Sequence, residues 1–280
     1  MRIKVAKSAG FCFGVKRALE IAFKTAAVEK KVYMLGDIVH NEHVIADIKR
    51  AGIKKIRSLG KGSGNVLLIR AHGQGLAVFK KAKQCRYVIV DATCPMVREI
   101  HRIVSRMDKL GYRIIIIGDK EHDEVRGIVG QMRGRTLVID SLDDIRVRKL
   151  NNIKKACVVV QSTQNLTKVL AIVEALRRHI KEVRFSNTIC RPTRTKQDEI
   201  KSMPLENDVM IVIGSKQSAN TKRLYEIAKS LNPRSYWINA PDEIRPEWFR
   251  GATKVGITAG ASTPDYTTQA VIERIASVSA

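Results

Sequence analysis

Short runs of valine and isoleucine recur along the whole chain, and each stops abruptly at small or polar residues: VYMLGDIVHN, VLLIRAHGQG, YVIVDATCP, YRIIIIGDKEHDE, ACVVVQSTQN, VRFSNTICRP, VMIVIGSKQSAN and KVGITAGASTP. Runs that are continuous rather than alternating fit strands of a parallel sheet, which are covered on both faces. Helical patterns lie between them. PMVREIHRIVSRMDKLG opens on Pro95, where a proline is tolerated, and closes at Gly111. TKVLAIVEALRRHI, SANTKRLYEIAKSLN and TPDYTTQAVIERIASV follow the same plan. Strand and helix alternating throughout predict an α/β fold.

Ligands of such sheets bind beyond the carboxyl ends of the strands. The residues predicted there are His40, His72, Cys94, His122 with Glu124, Ser162 with Thr163, Cys190, Ser218 with Asn220, and Ser262. Nearly every chemically versatile side chain thus falls at one kind of place. Cys12 lies in AGFCFGV near the start of the chain, where Gly10 and Gly14 are expected to let the backbone bend around a bulky inorganic centre and Phe11 and Phe13 to shield the sulfurs of that centre from water. From Cys12 to Cys94 is 82 residues (94 minus 12), and from Cys94 to Cys190 is 96 (190 minus 94). ATCP and TICRP also look alike. The spacing predicts three similar α/β units, 13–94, 95–189 and 190–280 joined by 1–12, each contributing one cysteine to a common centre.

The cysteines need weighing one by one. An odd, scattered set of five argues against a disulfide framework and leaves metal or redox chemistry open. Cys157, inside ACVVV, reads as a buried core residue, and Cys85 carries no partner motif. Cys12, Cys94 and Cys190 each sit in a turn marked by glycine or proline. A structural zinc site normally closes with four protein ligands, often from C-x-x-C pairs, and none occurs. Three thiolates on an iron–sulfur cluster would instead leave one iron open to substrate.

His43, His101 and His179, on helical patterns, read as hydrogen-bonded surface or core residues. His40, His72 and His122, with Ser218, Asn220 and Ser262 beside helix starts, could cradle an anion, although a serine in GSKQSAN or GASTPD also suits plain helix capping. Glu124 is the general-acid candidate. GKGSGN lacks the order of a phosphate loop and reads as a turn.

AGFCFGV, DIVHN, AHG, DATCP, EHDEV, QST, NTIC, GSKQSAN and TAGASTPD, in that order and across nearly the whole chain, resemble the motifs of the IspH (LytB) family of 4-hydroxy-3-methylbut-2-enyl diphosphate reductases. The resemblance implies three α/β domains in a trefoil around a central, oxygen-sensitive 4Fe-4S cluster with three cysteine ligands, Cys12, Cys94 and Cys190, and one open iron. It implies that His40, His72, Ser218, Asn220 and Ser262 hold a diphosphate with His122 nearby, and that Glu124 delivers protons. Ser162 and Thr163 fall on a pair that orients the substrate alcohol and the glutamate. The implied reaction is a two-electron reductive dehydroxylation to isopentenyl and dimethylallyl diphosphate, the last step of the non-mevalonate isoprenoid pathway. Three positions depart from the family pattern: Ser162 stands for a threonine, Ala219 for a second serine, and Asp123 for a frequent proline.

Charge adds a last point. Lys+Arg 51 against Asp+Glu 27 gives a net +24, which suits a diphosphate substrate and an acidic electron donor such as reduced ferredoxin or flavodoxin, although KKAKQ and RVRKLNNIKK also read as solvated faces. MRIKVAKSAG lacks the apolar core of an export signal and no stretch is long enough to span a bilayer, so the expectation is a cytoplasmic protein with no membrane partner. A second reading, a basic nucleic-acid-binding protein with structural zinc or inert cysteines, has against it an aromatic share of only 5% and no paired zinc ligands.

Overall fold

The computed structural model describes residues 1–134, 136–145, 150 and 152–278. Among the described residues the chain forms three sheets of four strands, every neighbouring pair parallel. One has the order β1 (Arg2–Val5), β12 (Lys254–Ala259), β10 (Val209–Ile213), β11 (Ser235–Ile238). A second runs β3 (Lys54–Ile56), β2 (Val32–Leu35), β4 (Val66–Ile69), β5 (Val88–Asp91). The third runs β7 (Leu137–Ile139), β6 (Arg113–Ile117), β8 (Lys155–Val160), β9 (Glu182–Phe185).

The continuous apolar runs sit at the sheet centres. VLLI of β4 and VMIVI of β10 are buried at every position. Covered on both faces, such strands gain from β-branched side chains that pack on a pleated surface. The helices begin and end for local reasons. Pro95 occupies the first turn of the helix Pro95–Lys109, Val97, Ile100 and Val104 form its buried stripe, and Gly111, at φ +77°, takes the left-handed conformation that stops it. Its amide closes on the Asp108 carbonyl at 2.9 Å.

Two compact units divide the chain: Met1–Lys16 with Val39–Asp47 and Arg191–Ala280, and Arg17–Ile38 with Ile48–Cys190. The first holds the sheet containing β1, and the second holds the other two.

One expectation near Cys12 changes. Gly10 bends as predicted, at φ +84°, but Gly14 is an ordinary helical residue within α1 (Phe13–Val28). Phe13 is 67% exposed. GKGSGN forms a turn with Ser63 and Gly64 both at positive φ. His179 lies in the turn beyond the helix Leu166–Arg177 rather than on it. KKAKQ is the outer face of the helix Leu76–Gln84, with Ala82 buried beneath. Part of RVRKLNNIKK, residues 146–149 and 151, lies outside the described residues.

Candidate active site

Every candidate side chain lies between a strand and the next helix, or in the first turn of that helix. Cys12 follows β1, His40 follows β2, His72 follows β4 and Cys94 follows β5. His122 and Glu124 follow β6, Ser162 and Thr163 follow β8, and Cys190 follows β9. Ser218 and Asn220 follow β10, and Ser262 follows β12. Three strands, β3, β7 and β11, lead to none of them, and each is an edge of its sheet. The opposite edge of each sheet, β1, β5 or β9, leads to a cysteine.

The three cysteines repeat one local geometry. Each immediately precedes a helix: α1, α4 (Pro95–Lys109) and α7 (Arg191–Glu206). Each donates its amide to a carbonyl beyond the neighbouring strand, Cys12 to Ala261 at 3.1 Å, Cys94 to Ala71 at 3.0 Å and Cys190 to Ser162 at 3.0 Å. All three are half-buried, and all five cysteines are thiols rather than disulfides. A helix N-terminus favours negative charge, so each place suits a thiolate ligand of a metal centre. Sulfur ligands of this kind are soft and suit an iron–sulfur group. Cys157 differs: it is fully buried within β8, and burial pushes its thiol up.

Glu124 belongs to the unit that holds Cys94 and Cys190. It lies in the first turn of α5 (Asp123–Val129), 2% exposed, with His122 capping that helix by accepting the Glu124 amide at Nδ1 at 3.1 Å. Its Oε1 accepts the Ser162 amide at 2.6 Å and its Oε2 the Ser162 hydroxyl at 2.8 Å. Burial raises the carboxyl above its ordinary value, and the two Ser162 bonds oppose that without cancelling it. The His72 and His122 rings meet edge to face at 5.4 Å. Gln161 donates to the Thr163 hydroxyl at 3.2 Å and accepts the Asp119 amide at 2.9 Å, so it fixes both flanks of the pair.

The charge that Asp123 brings beside Glu124 is met locally. Its carboxylate pairs with Arg70 at 2.5 Å, both side chains being largely buried. Gly36 makes room for that guanidinium, since a Cβ there would meet Arg70 Nη1 at 2.5 Å. Arg70 carries no motif that marks it in the sequence, and Gln161, though it opens QST, is not singled out there.

The other unit gathers Cys12, His40, Ser218, Asn220 and Ser262. Ser262 donates its hydroxyl to the His40 carbonyl at 3.2 Å. Ser218 caps the helix Ala219–Leu231 by accepting the Thr221 amide at 3.3 Å, the plain capping role that its sequence also allows. Asn220 is 4% exposed, yet neither its Oδ1 nor its Nδ2 has a partner among the described residues. A buried amide left unsatisfied at a helix N-terminus is suited to an anionic ligand with both donors and acceptors. Lys196, on α7, is 2% exposed; burial pushes its ammonium down to about 8, against the nearby charges of Cys12, Glu199 and Asp265.

Thiols, a buried acid and polar side chains at the carboxyl ends of parallel strands mark the chain as an α/β enzyme. The chain belongs to the LytB family, whose LytB protein profile matches residues 3–276. It is 40% identical over 275 residues to the 4-hydroxy-3-methylbut-2-enyl diphosphate reductase of Geobacter metallireducens, covering 98% of this chain and 97% of that protein. The reductase of Aquifex aeolicus is 39% identical over 277 residues, covering 98% of this chain and 95% of that protein. A solved (E)-4-hydroxy-3-methyl-but-2-enyl diphosphate reductase, the terminal enzyme of the non-mevalonate pathway, superposes with a TM-score of 0.72 at 38% identity, covering 99% of this chain and 100% of that one. An E-1-hydroxy-2-methyl-but-2-enyl-4-diphosphate reductase from Plasmodium falciparum superposes at 0.90 with 30% identity, covering 97% and 87%. The family is one of iron–sulfur enzymes, and the nucleic-acid alternative gives way to it. Among the described residues no helix is long and apolar enough to cross a membrane.

Proposed function

We propose that this chain reduces (E)-4-hydroxy-3-methylbut-2-enyl diphosphate to isopentenyl and dimethylallyl diphosphate, the last step of the non-mevalonate isoprenoid pathway. Two electrons and two protons enter, the allylic C–O bond breaks, and one water leaves. The observation that carries the reading is the buried Glu124–Ser162 pair at the strand ends of a chain that matches the LytB family over residues 3–276.

In this reading Cys12, Cys94 and Cys190, one from each of the units 13–94, 95–189 and 190–280 with 1–12, hold a 4Fe-4S cluster with one open iron. The repeated cysteine geometry supports that assignment. Such a cluster, when bound, supplies single electrons and a Lewis-acidic iron. His40, His72, His122, Ser218, Asn220 and Ser262 bind the diphosphate, and the unsatisfied amide of Asn220 supports its share. Ser162 and Thr163 orient the substrate hydroxyl and the Glu124 carboxyl. Glu124 keeps a proton by burial and delivers it to the leaving oxygen. The basic surface suits an acidic donor, reduced ferredoxin or flavodoxin.

Anaerobically reconstituted protein should hold about four irons per chain and change its EPR spectrum when the diphosphate substrate is added. Colourless, iron-free protein after reconstitution sinks the reading.

A further inference from the structure

The loop that leads from β1 to Cys12 is gripped from both sides by one helix. From α7, the Glu199 carboxylate accepts the Lys7 amide at 2.6 Å, the Ser8 amide at 3.0 Å and the Ser8 hydroxyl at 2.5 Å. One turn earlier on that helix, Lys196 Nζ donates to the carbonyls of Ser8, of Gly10 at 3.0 Å and of Ala259 at 3.1 Å. A lysine ammonium has three donors, and all three are used here on main-chain oxygens. Gly10 itself sits at φ +84°, where a side chain is disfavoured, and a Cβ there would meet Asp265 Oδ1 at 2.6 Å.

Such a lysine is costly to bury and is not needed to satisfy a carboxylate, because Glu199 already has the loop's amides and hydroxyl. Its bonds instead converge on the two residues from which the chain turns toward Cys12 and on the end of β12. Cys12 and Lys196 also line one cavity of about 270 Å³ with Phe11, Phe13, Arg191 and Thr195.

We infer that Lys196 is a positioning residue for Cys12: it fixes the loop that aims the thiolate and places a positive charge at that corner of the metal centre. The inference rests on the reading of Cys12 as a cluster ligand. A buried cation beside a cluster favours the reduced, more negative form, so its removal makes reduction harder. The helix that carries the clamp starts at the residue after Cys190.

The test compares wild type, Lys196→Met and Lys196→Arg, each reconstituted anaerobically. Three properties are read: the midpoint potential by EPR-monitored titration, the rate of iron loss to a ferrous chelator, and the melting temperature of the cluster-free protein. Lys196→Met should shift the midpoint to more negative potential and lose iron at least threefold faster, with Lys196→Arg returning both toward wild type. A Lys196→Met protein that melts lower but keeps the wild-type midpoint and rate of iron loss overturns the inference and leaves Lys196 a structural staple. Failure of Lys196→Met to fold even without the cluster points to the same staple role, unless Lys196→Gln folds and reproduces the shift. Wild-type protein that takes up no iron overturns the cluster reading itself, and the inference with it.

Discussion

Ser162 gives both its amide and its hydroxyl to the carboxylate of Glu124, one to each oxygen. The residue that the sequence marks as a departure from the family pattern is thus the one that holds the proposed acid. The missing methyl costs none of the hydrogen bonding, which depends on the oxygen and the main chain alone.

Glu124→Gln keeps the shape and, through its one carbonyl oxygen, the bond from the Ser162 amide, while the Ser162 hydroxyl turns to accept from the new NH2 group; it has no proton to deliver. Turnover should fall by about a hundredfold or more, as for a lost general acid, with iron content unchanged. Wild-type turnover in the variant, measured under anaerobic single-donor conditions, would assign the proton to another group.

An acid whose folded pKa lies above its unfolded value stabilises the fold while it keeps its proton, and gives up that contribution as the pH climbs through the raised value. Burial places Glu124 in this class. Cluster-free wild type should therefore lose melting temperature relative to Glu124→Gln as the pH rises above the ordinary glutamate value of 4.5. Parallel melting curves from pH 4 to 8 would show that the carboxylate is accommodated as well as the acid.

Ser162→Ala removes one of the two bonds that favour the charged carboxylate. The alkaline limb of the kcat profile should move to higher pH, and turnover should fall by about tenfold, the scale of one hydrogen bond to a charged group. Ser162→Thr should keep wild-type behaviour. An unmoved limb in Ser162→Ala would detach the serine from the acid.

Cys12→Ser, Cys94→Ser and Cys190→Ser should each lose most of the bound iron, while Cys85→Ser and Cys157→Ala keep it. Cys157→Ala should also cost about 1 kcal/mol of stability, because it opens a small void in a fully buried strand. Full iron in any of the first three, measured after anaerobic reconstitution, removes that residue from the ligand set.

The Asn220 side chain has no hydrogen bond to lose among the described residues. Asn220→Ala should leave the melting temperature of the substrate-free protein nearly unchanged and raise KM by about tenfold or more, as expected for a lost contact to a charged ligand. A drop in stability with an unchanged KM would mark the residue as structural.

The central strands were legible because burial on both faces demands an unbroken apolar run, as in RIIII of β6 and VMIVI of β10. The strands that the quoted runs do not mark, β1, β3, β7 and β11, are all sheet edges. With a neighbour on one side only, RIKV and KKI tolerate the lysines and arginine that hide them. The site residues were legible as types at strand ends, yet their supports were not. Lys196 and Glu199 sit in TRTKQDEI, a polar stretch that reads as a solvated helix face. Only the packing of that helix on the loop Lys7–Gly10 reveals which of its charges are turned inward.

Each cysteine is tied to its sheet through its own amide, by a bond in which the sulfur takes no part. With the ligand set proposed above, the backbone that presents each sulfur is held by bonds that do not depend on iron.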